Sequence, residues 1–391
     1  MIMKVGQVTF CNYNYGSVLQ CYATQKLLSC LGIECILFRR REGKDGIKIS
    51  KILYLLDGAF KCLLYPWNIL NFYKLWKSTR RAALKIISED NLIAIDHFVK
   101  NEINSIDISY NNMVQEAKKD EYAAFISGSD QIWNGDWFIT NKMHFLRFAP
   151  KRKRVAWAPS FGTSSVAKYN KSKYKKYISD YIALSIREPD GVSIIKELTG
   201  REAEVVLDPV LLLTSDQWRA EYSTKEIDLI DSKYILMFFL DRPSENAIDS
   251  IIKIWEKTGF QIAAFGHRHE AYSMMDSVKY VGGSPWNFLS IIDGANCVCT
   301  DSFHALAFSI LFHTQMFVFK RQYTHNSDQS NRIESILNMC GINERFINKI
   351  IDLKTIEDII DFQYIDQILD REREISISYL TNAIKLCINS K

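Results

Sequence analysis

The residue best placed for chemistry is a histidine at the start of an apolar helix. In residues 296–321 the apolar run Cys297-Val298-Cys299 stops at Thr300-Asp301-Ser302, and a segment free of Pro and Gly follows over 303–312. A second strand-like run covers 316–319. The pattern predicts strand, turn, helix, strand, with Asp301 or Ser302 as N-cap. His304 is the one ionisable residue in the helix's first turn. A helix start after a strand presents unpaired N–H groups and positive potential, an anion site at which a histidine can give or take a proton.

Other polar groups cluster at predicted strand ends. The strand at 3–10 runs into Asn14, Tyr15, Gly16 and Ser17, then a helix, and then a second strand at 35–38. A further strand at 123–126 closes on Gly128, Ser129, Asp130, Gln131, Ile132 and Trp133, a binding loop rather than a simple turn. Asp130 is the candidate to orient or deprotonate a hydroxyl, and Trp133 and Tyr15 could stack on a sugar. Residues 155–161 read as another strand. The strand at 183–186 ends at Arg187, whose guanidinium suits bidentate capture of a carboxylate or phosphate. His267 and His269 lack a third ligand at useful spacing, so no metal is expected.

Strands at 205–207, 234–240 and 261–265, with a helix at 244–257, repeat the alternation. This is α/β: two Rossmann-like domains with parallel sheets facing across a cleft, and C-terminal helices. The expected division is 1–180, an acceptor side with a helical insertion at about 41–120, and 181–391, a donor side. No G-x-G-x-x-G supports a nicotinamide or flavin. The chain's 391 residues, 47% hydrophobic and 24% charged, suit two globular domains, and a net charge of +4 does not suggest nucleic acid. Nine scattered cysteines read as reduced core residues. The strand-like opening without a cleavage site suggests a cytoplasmic protein. The aromatic stretch 52–76 is read as packed helices. It could also lie on a bilayer, and the basic run 147–176 could attract one, so peripheral contact with the inner membrane face is a further expectation.

Taken together and in order, several stretches resemble the polysaccharide pyruvyl transferase family. They are residues 14–20 (NYGSVLQ), 128–134 (GSDQIWN), 160–162 (SFG), 185–188 (SIRE), 207–209 (LDP), 300–304 (TDSFH) and 331–333 (NRI). The resemblance implies a GT-B-like fold without cofactor. It also implies transfer of pyruvate from phosphoenolpyruvate to two hydroxyls of a sugar, giving a cyclic ketal in a surface polysaccharide precursor, with a lipid-linked oligosaccharide as acceptor. His304 would protonate the donor. Arg187, Asp301 and Ser302 would hold it, and Asn14 to Ser17 with Gly128, Ser129, Gln131 and Trp133 would face the acceptor. Family members carry an arginine where this chain has Ser302, and Arg321 and Arg332 stand as replacements. The rival readings are a GT-B glycosyltransferase using a nucleotide sugar and a catalytically idle glycan binder.

Overall fold

The computed structural model describes residues 3–11, 13–40, 61–63, 65–66, 69, 87–137, 140–223, 230–275, 277–322 and 329–390. The chain opens with β1 (Met3–Val8), α1 (Tyr15–Cys30) and β2 (Ile33–Arg40), followed by α2 (Glu89–Glu102), β3 (Ser105–Ile108) and α3 (Tyr110–Glu116). Next come β4 (Tyr122–Ser127), β5 (Arg154–Ala156), α4 (Lys168–Ile178), β6 (Ser185–Ile186), α5 (Pro189–Thr199) and β7 (Glu204–Val205). The first sheet is parallel in the order β3-β2-β1-β4-β5. Crossing from β1 to β4 reverses the direction of winding and leaves a crevice beyond the strand ends, where ligands bind in such sheets.

The second unit contains α6 (Ser215–Tyr222), β8 (Tyr234–Phe238), α7 (Glu245–Thr258), β9 (Gln261–Phe265), β10 (Lys279–Val281), α8 (Pro285–Asp293), β11 (Cys297–Thr300) and α9 (Phe303–Leu311). It ends with β12 (Gln315–Phe319), α10 (Asn331–Cys340), β13 (Phe346–Ile347), α11 (Leu353–Glu357) and α12 (Phe362–Asn389). Its sheet is also parallel, in the order β10-β9-β8-β11-β12-β13. β8 and β11 are buried along their whole length, which explains their uninterrupted apolar runs. α9 is buried on every side, so its sequence is apolar all round.

Several expectations change. The strand expected over 155–161 stops at Ala156, because Ala158 turns left-handed (φ 49°) and Pro159 offers no N–H to a ladder. Residues 157–161 run on as a buried loop toward the strand ends. The insertion expected at 41–120 includes an edge strand, β3, and most of 41–86, with the aromatic stretch 52–76, lies outside the described residues apart from a few positions. The division at 180 falls inside a packed unit. Ile186, Ile194, Ile195 and Leu198 share one core with Trp133 and Phe161 of the first domain. The chain's last helix returns there too: Tyr379 donates its hydroxyl to the Ala156 carbonyl (2.9 Å) and stacks on Trp157.

Much of the basic run is bound up internally. Arg147, Lys151 and Arg154 converge on Asp180, and the buried Lys153 donates to the Lys119 carbonyl (3.0 Å). Among the described residues no helix is long and apolar enough to cross a membrane.

α1 is the element common to both units. Tyr15 stacks on Phe288 with centroids 5.2 Å apart and donates to the Gly283 carbonyl (3.0 Å). Tyr22 donates to Glu221 (2.5 Å). A continuous apolar cluster therefore runs from Val18 and Leu19 through Trp218 to Phe288 and Phe308.

Burial sets an acid limit on this fold. His144, edge-on to Phe10, has its pKa pushed down to about 4 by burial. Above pH ~6.5 the ring is neutral in both folded and unfolded chains. As pH falls below that, the unfolded chain takes the proton first, so stability declines by about 1.4 kcal/mol per pH unit per such group. Urea unfolding measured between pH 7 and 4.5 should show this decline, and His144→Phe should lessen its slope by one proton's worth.

Candidate functional site

Local folding explains how the helix start at α9 is aimed. Thr300 closes β11 with its hydroxyl donating to the Phe238 carbonyl (2.5 Å), and the same oxygen accepts from Ser302 N (3.0 Å). Of the two residues expected to cap the helix, Ser302 does so, accepting from Ala305 N (3.4 Å). Asp301 instead fastens the neighbouring strand end. Its carboxylate accepts from Leu240 N (2.7 Å), Asp241 N (3.1 Å) and Arg321 Nε (3.2 Å). Asp301 and Arg321 are thus bound to each other, and Ser302 to its own helix. The N–H groups of Phe303 and His304 lie outside the intrahelical ladder.

His304 points its ring into the seam between the domains. A Cβ on Gly16 would lie 2.1 Å from His304 Nδ1, so only glycine lets α1 approach the imidazole this closely. The buried Nε2 has no hydrogen-bond partner and stands 3.9 Å from Asp208 Oδ2. Asp208, fully buried, accepts from Arg187 Nη1 (2.7 Å), from Ser129 Oγ (2.9 Å) and from Val210 N (3.1 Å). Arg187 also donates Nε to Glu188 (2.7 Å) and lies over the Phe303 ring at 4.3 Å, while its Nη2 is buried without a partner.

Arg332, in the first turn of α10, is buried, and among the described residues it meets no carboxylate within ion-pair distance. Its partners are amides: Gln329 Oε1 at 3.1 Å and, with the Gln131 amide turned to satisfy its neighbours, Gln131 oxygen at 2.8 Å from Nη1. Asp130, left-handed at φ 64°, accepts Gln131 N on its side chain and Ser160 N (2.8 Å) on its carbonyl. Its carboxylate is close enough to act electrostatically on His304, Arg187 and Arg332.

The charges bias one another. Burial, then Arg187 and Arg321, press the Arg332 guanidinium down to about 10. Burial raises the Asp208 carboxyl, but Arg187 and then His304 outweigh it and hold it below the usual carboxylate range. His304 lies below an ordinary imidazole because burial outweighs the pull of Asp208 and Asp130.

His304, Arg187, Arg332, Asp130, Ser129, Gln131 and Gly16 are therefore gathered at one place, and Asn14, Tyr15, Gly128 and Trp133 are not exposed there as contact groups. Asn14 caps α1, accepting from Gly16 N (2.9 Å) and Ser17 N (3.4 Å). Tyr15 is sealed between the domains, and Ser17 donates to the Asn14 carbonyl (3.2 Å). Gly128, at φ 131°, is pressed against Trp157, whose carbonyl oxygen would lie 1.9 Å from a Cβ. Trp133 is wholly buried and stacked on Phe145, so it has no face to offer a sugar. Asp208, Glu188 and Gln329 also belong to the cluster, and Gln20 to its scaffold. Gln20 ties both strand-end loops together, donating to the Phe10 carbonyl (2.9 Å) and accepting from Ser129 N (3.1 Å). The sequence signal for Asp208 was an aspartate closing an apolar run before proline. His267 has its pKa lowered to about 3 by burial, and His269 bonds the Phe239 carbonyl (2.8 Å). Among the described residues no group of three ligand types could hold a metal.

Two parallel-sheet domains with the polar cluster between their strand ends define the GT-B fold. Arabidopsis thaliana UGT89C1 complexed with quercetin is similar in fold, with a TM-score of 0.51 at 10% identity over 99% of this chain and 100% of that one. UDP-bound MnaA from S. aureus (TM-score 0.47, 10% identity, 95% and 89% covered) and MurG from Acinetobacter baumannii (0.41, 8%, 100% and 95%) are more distant. No curated protein matches the chain. The family model for polysaccharide pyruvyl transferase matches residues 14–323, and the chain belongs to that family of transferases.

Gly16→Ala should push His304 off its position. The expected outcome is a loss of about 1–3 kcal/mol in urea unfolding, the range for overpacking. Asp208→Ala should also destabilise, by about 1–3 kcal/mol, because it leaves the Arg187 Nη1 and Ser129 Oγ donors buried without their acceptor while Arg187 keeps Glu188.

Proposed function

We propose that the protein transfers pyruvate from phosphoenolpyruvate to two hydroxyls of a sugar in a polysaccharide precursor, releasing phosphate. The observation that carries this reading is Arg332: among the described residues it is a buried cation with amide partners only, beside an Arg187 Nη2 and a His304 Nε2 that have no partner there. A buried cation lacking a counter-charge favours an anionic ligand. Phosphoenolpyruvate brings a phosphate and a carboxylate on a three-carbon frame, matching a pair of guanidiniums and the α9 N–H groups.

In the reaction, His304 delivers a proton to the methylene carbon. The enol carbon becomes electrophilic, one sugar oxygen bonds to it and loses its proton, phosphate departs with the former enol oxygen, and the second hydroxyl closes the ketal. Asp208 and Glu188 are engaged by Arg187, so Asp130 is the carboxylate of this cluster that takes a hydroxyl proton. General acid–base groups of this kind contribute ~10²–10⁴-fold. Asp208 is a positioning residue that holds Arg187 and faces His304. A lipid-linked acceptor, with the protein working at the inner membrane face, fits the same chemistry.

The pH dependence follows from His304. In the free protein its pKa is depressed below 6.5, so kcat/KM should fall as pH rises through that lowered value, when the acid is lost. Bound phosphoenolpyruvate adds negative charge and raises the pKa, so kcat should hold to higher pH than kcat/KM. His304→Gln should remove turnover by at least ~10²-fold and leave the melting temperature nearly unchanged. Phosphoenolpyruvate should raise the melting temperature of the wild type but not of Arg332→Ala. Consumption of a nucleotide sugar with no phosphate released from phosphoenolpyruvate would overturn the reading.

A further inference from the structure

Arg332 is gripped by two neutral amides, one from each domain. Gln329 comes just before α10, and Gln131 from the loop after β4. Gln329 Oε1 accepts from Arg332 Nη2 (3.1 Å), and the Gln131 oxygen lies 2.8 Å from Nη1. The Gln131 nitrogen in turn donates to Gln329 Oε1 (3.3 Å), which closes the clasp. Gln329 and Arg332 are 7% and 6% exposed, so the amides and not bulk water hold the guanidinium. Gly162, left-handed at φ 66°, makes room: a Cβ there would lie 2.5 Å from the Gln131 side chain. Arg332 also lines, with Arg187, a cavity of about 480 Å³.

Shape alone does not call for glutamine at either position. An amide and a carboxylate are close in size, and each offers an oxygen that accepts from a guanidinium. They differ in charge. Paired with a carboxylate, a guanidinium forms short charge-assisted bonds and its field is largely cancelled. Asp130 and Glu188 act on Arg332 only at longer range, and Arg187 and Arg321 oppose them. We propose that Gln131 and Gln329 are positioning residues that fix Arg332 while leaving its charge to the cavity. The site thereby selects an anion bearing both phosphate and carboxylate over a simple monocarboxylate. The identity of that anion rests on the pyruvyl transfer reading, whereas the neutrality of the clasp does not. Gln131, expected to face the acceptor, serves the donor side instead.

The test is calorimetric titration of the full-length protein at pH 7 with phosphoenolpyruvate, inorganic phosphate and pyruvate, alongside thermal unfolding without ligand. The wild type should bind phosphoenolpyruvate at least tenfold more tightly than pyruvate. Gln329→Glu should melt no lower than the wild type, because its carboxylate pairs with Arg332, yet bind phosphoenolpyruvate at least tenfold more weakly. Gln329→Met removes the hydrogen bond and adds no charge, so it should melt lower and keep the affinity within threefold. A purely structural clasp would rank the two variants the other way. Gln131→Glu repeats the charge test from the first domain. Lower melting temperatures in both glutamate variants, phosphoenolpyruvate affinity in either within threefold of the wild type, or weaker binding by Gln329→Met than by Gln329→Glu would each overturn the proposal. Equal affinity of the wild type for phosphoenolpyruvate and pyruvate would do the same. If the wild type binds phosphate but not phosphoenolpyruvate, and the glutamate variants lose the phosphate, the neutral clasp stands and the pyruvyl reading fails. Binding of neither anion sinks both.

Discussion

The buried carboxylate of Asp208 holds the site together. It draws Arg187 from the segment after β6, Ser129 from the loop after β4 and, at longer range, His304 from the start of α9. Desolvating a carboxylate and a guanidinium is expensive unless each is paired and hydrogen-bonded. Asp208 meets that condition through three donors, and Arg187 does so only in part. The network is therefore complete on the structural side and leaves Nη2 of Arg187 as a donor without a partner. An incomplete buried network is unfavourable in itself, and it persists where a ligand completes it.

The domain seam is built to bring these groups close. Gly16 removes the Cβ that would collide with His304, and Tyr15 inserts among Phe238, Phe265 and Phe288. Aromatic packing of this kind is non-polar and extensive, so it holds α1 against the second sheet. The conformational demand on α1 and the chemical demand on α9 meet at one glycine.

The charge balance also explains how one pocket can suit an acid catalyst and an anion. His304 lies near two aspartates and two arginines, and burial lowers its pKa in the free protein. A bound anion would shift that balance toward the imidazolium, so protonation of His304 and binding of an anion would be linked. Arg332 responds in the same sense, because its pKa is lowered by burial and by neighbouring cations.

Much of the fold could be read from local pattern. Short apolar runs over Tyr234, Ile235 and Leu236 or over Cys297, Val298 and Cys299 suit strands buried on both faces, and Gly259 ends α7 by adopting a left-handed turn. The His304 helix start was legible because its cap and apolar period are local properties of consecutive residues. Which polar groups would face one another was not local. Asp208 reads as a turn aspartate before proline until Arg187 and Ser129, 21 and 79 positions away, are folded against it. Trp133 reads as a sugar platform until Phe145 covers it. Sequence determined most of the elements but not every end, as the strand that stops at Ala156 shows, since hydrogen-bond caps and periodicity act within a few residues. Tertiary structure alone decided which charges are paired and which are left for a ligand, since burial and Coulomb energy depend on distances between strand ends far apart in the chain.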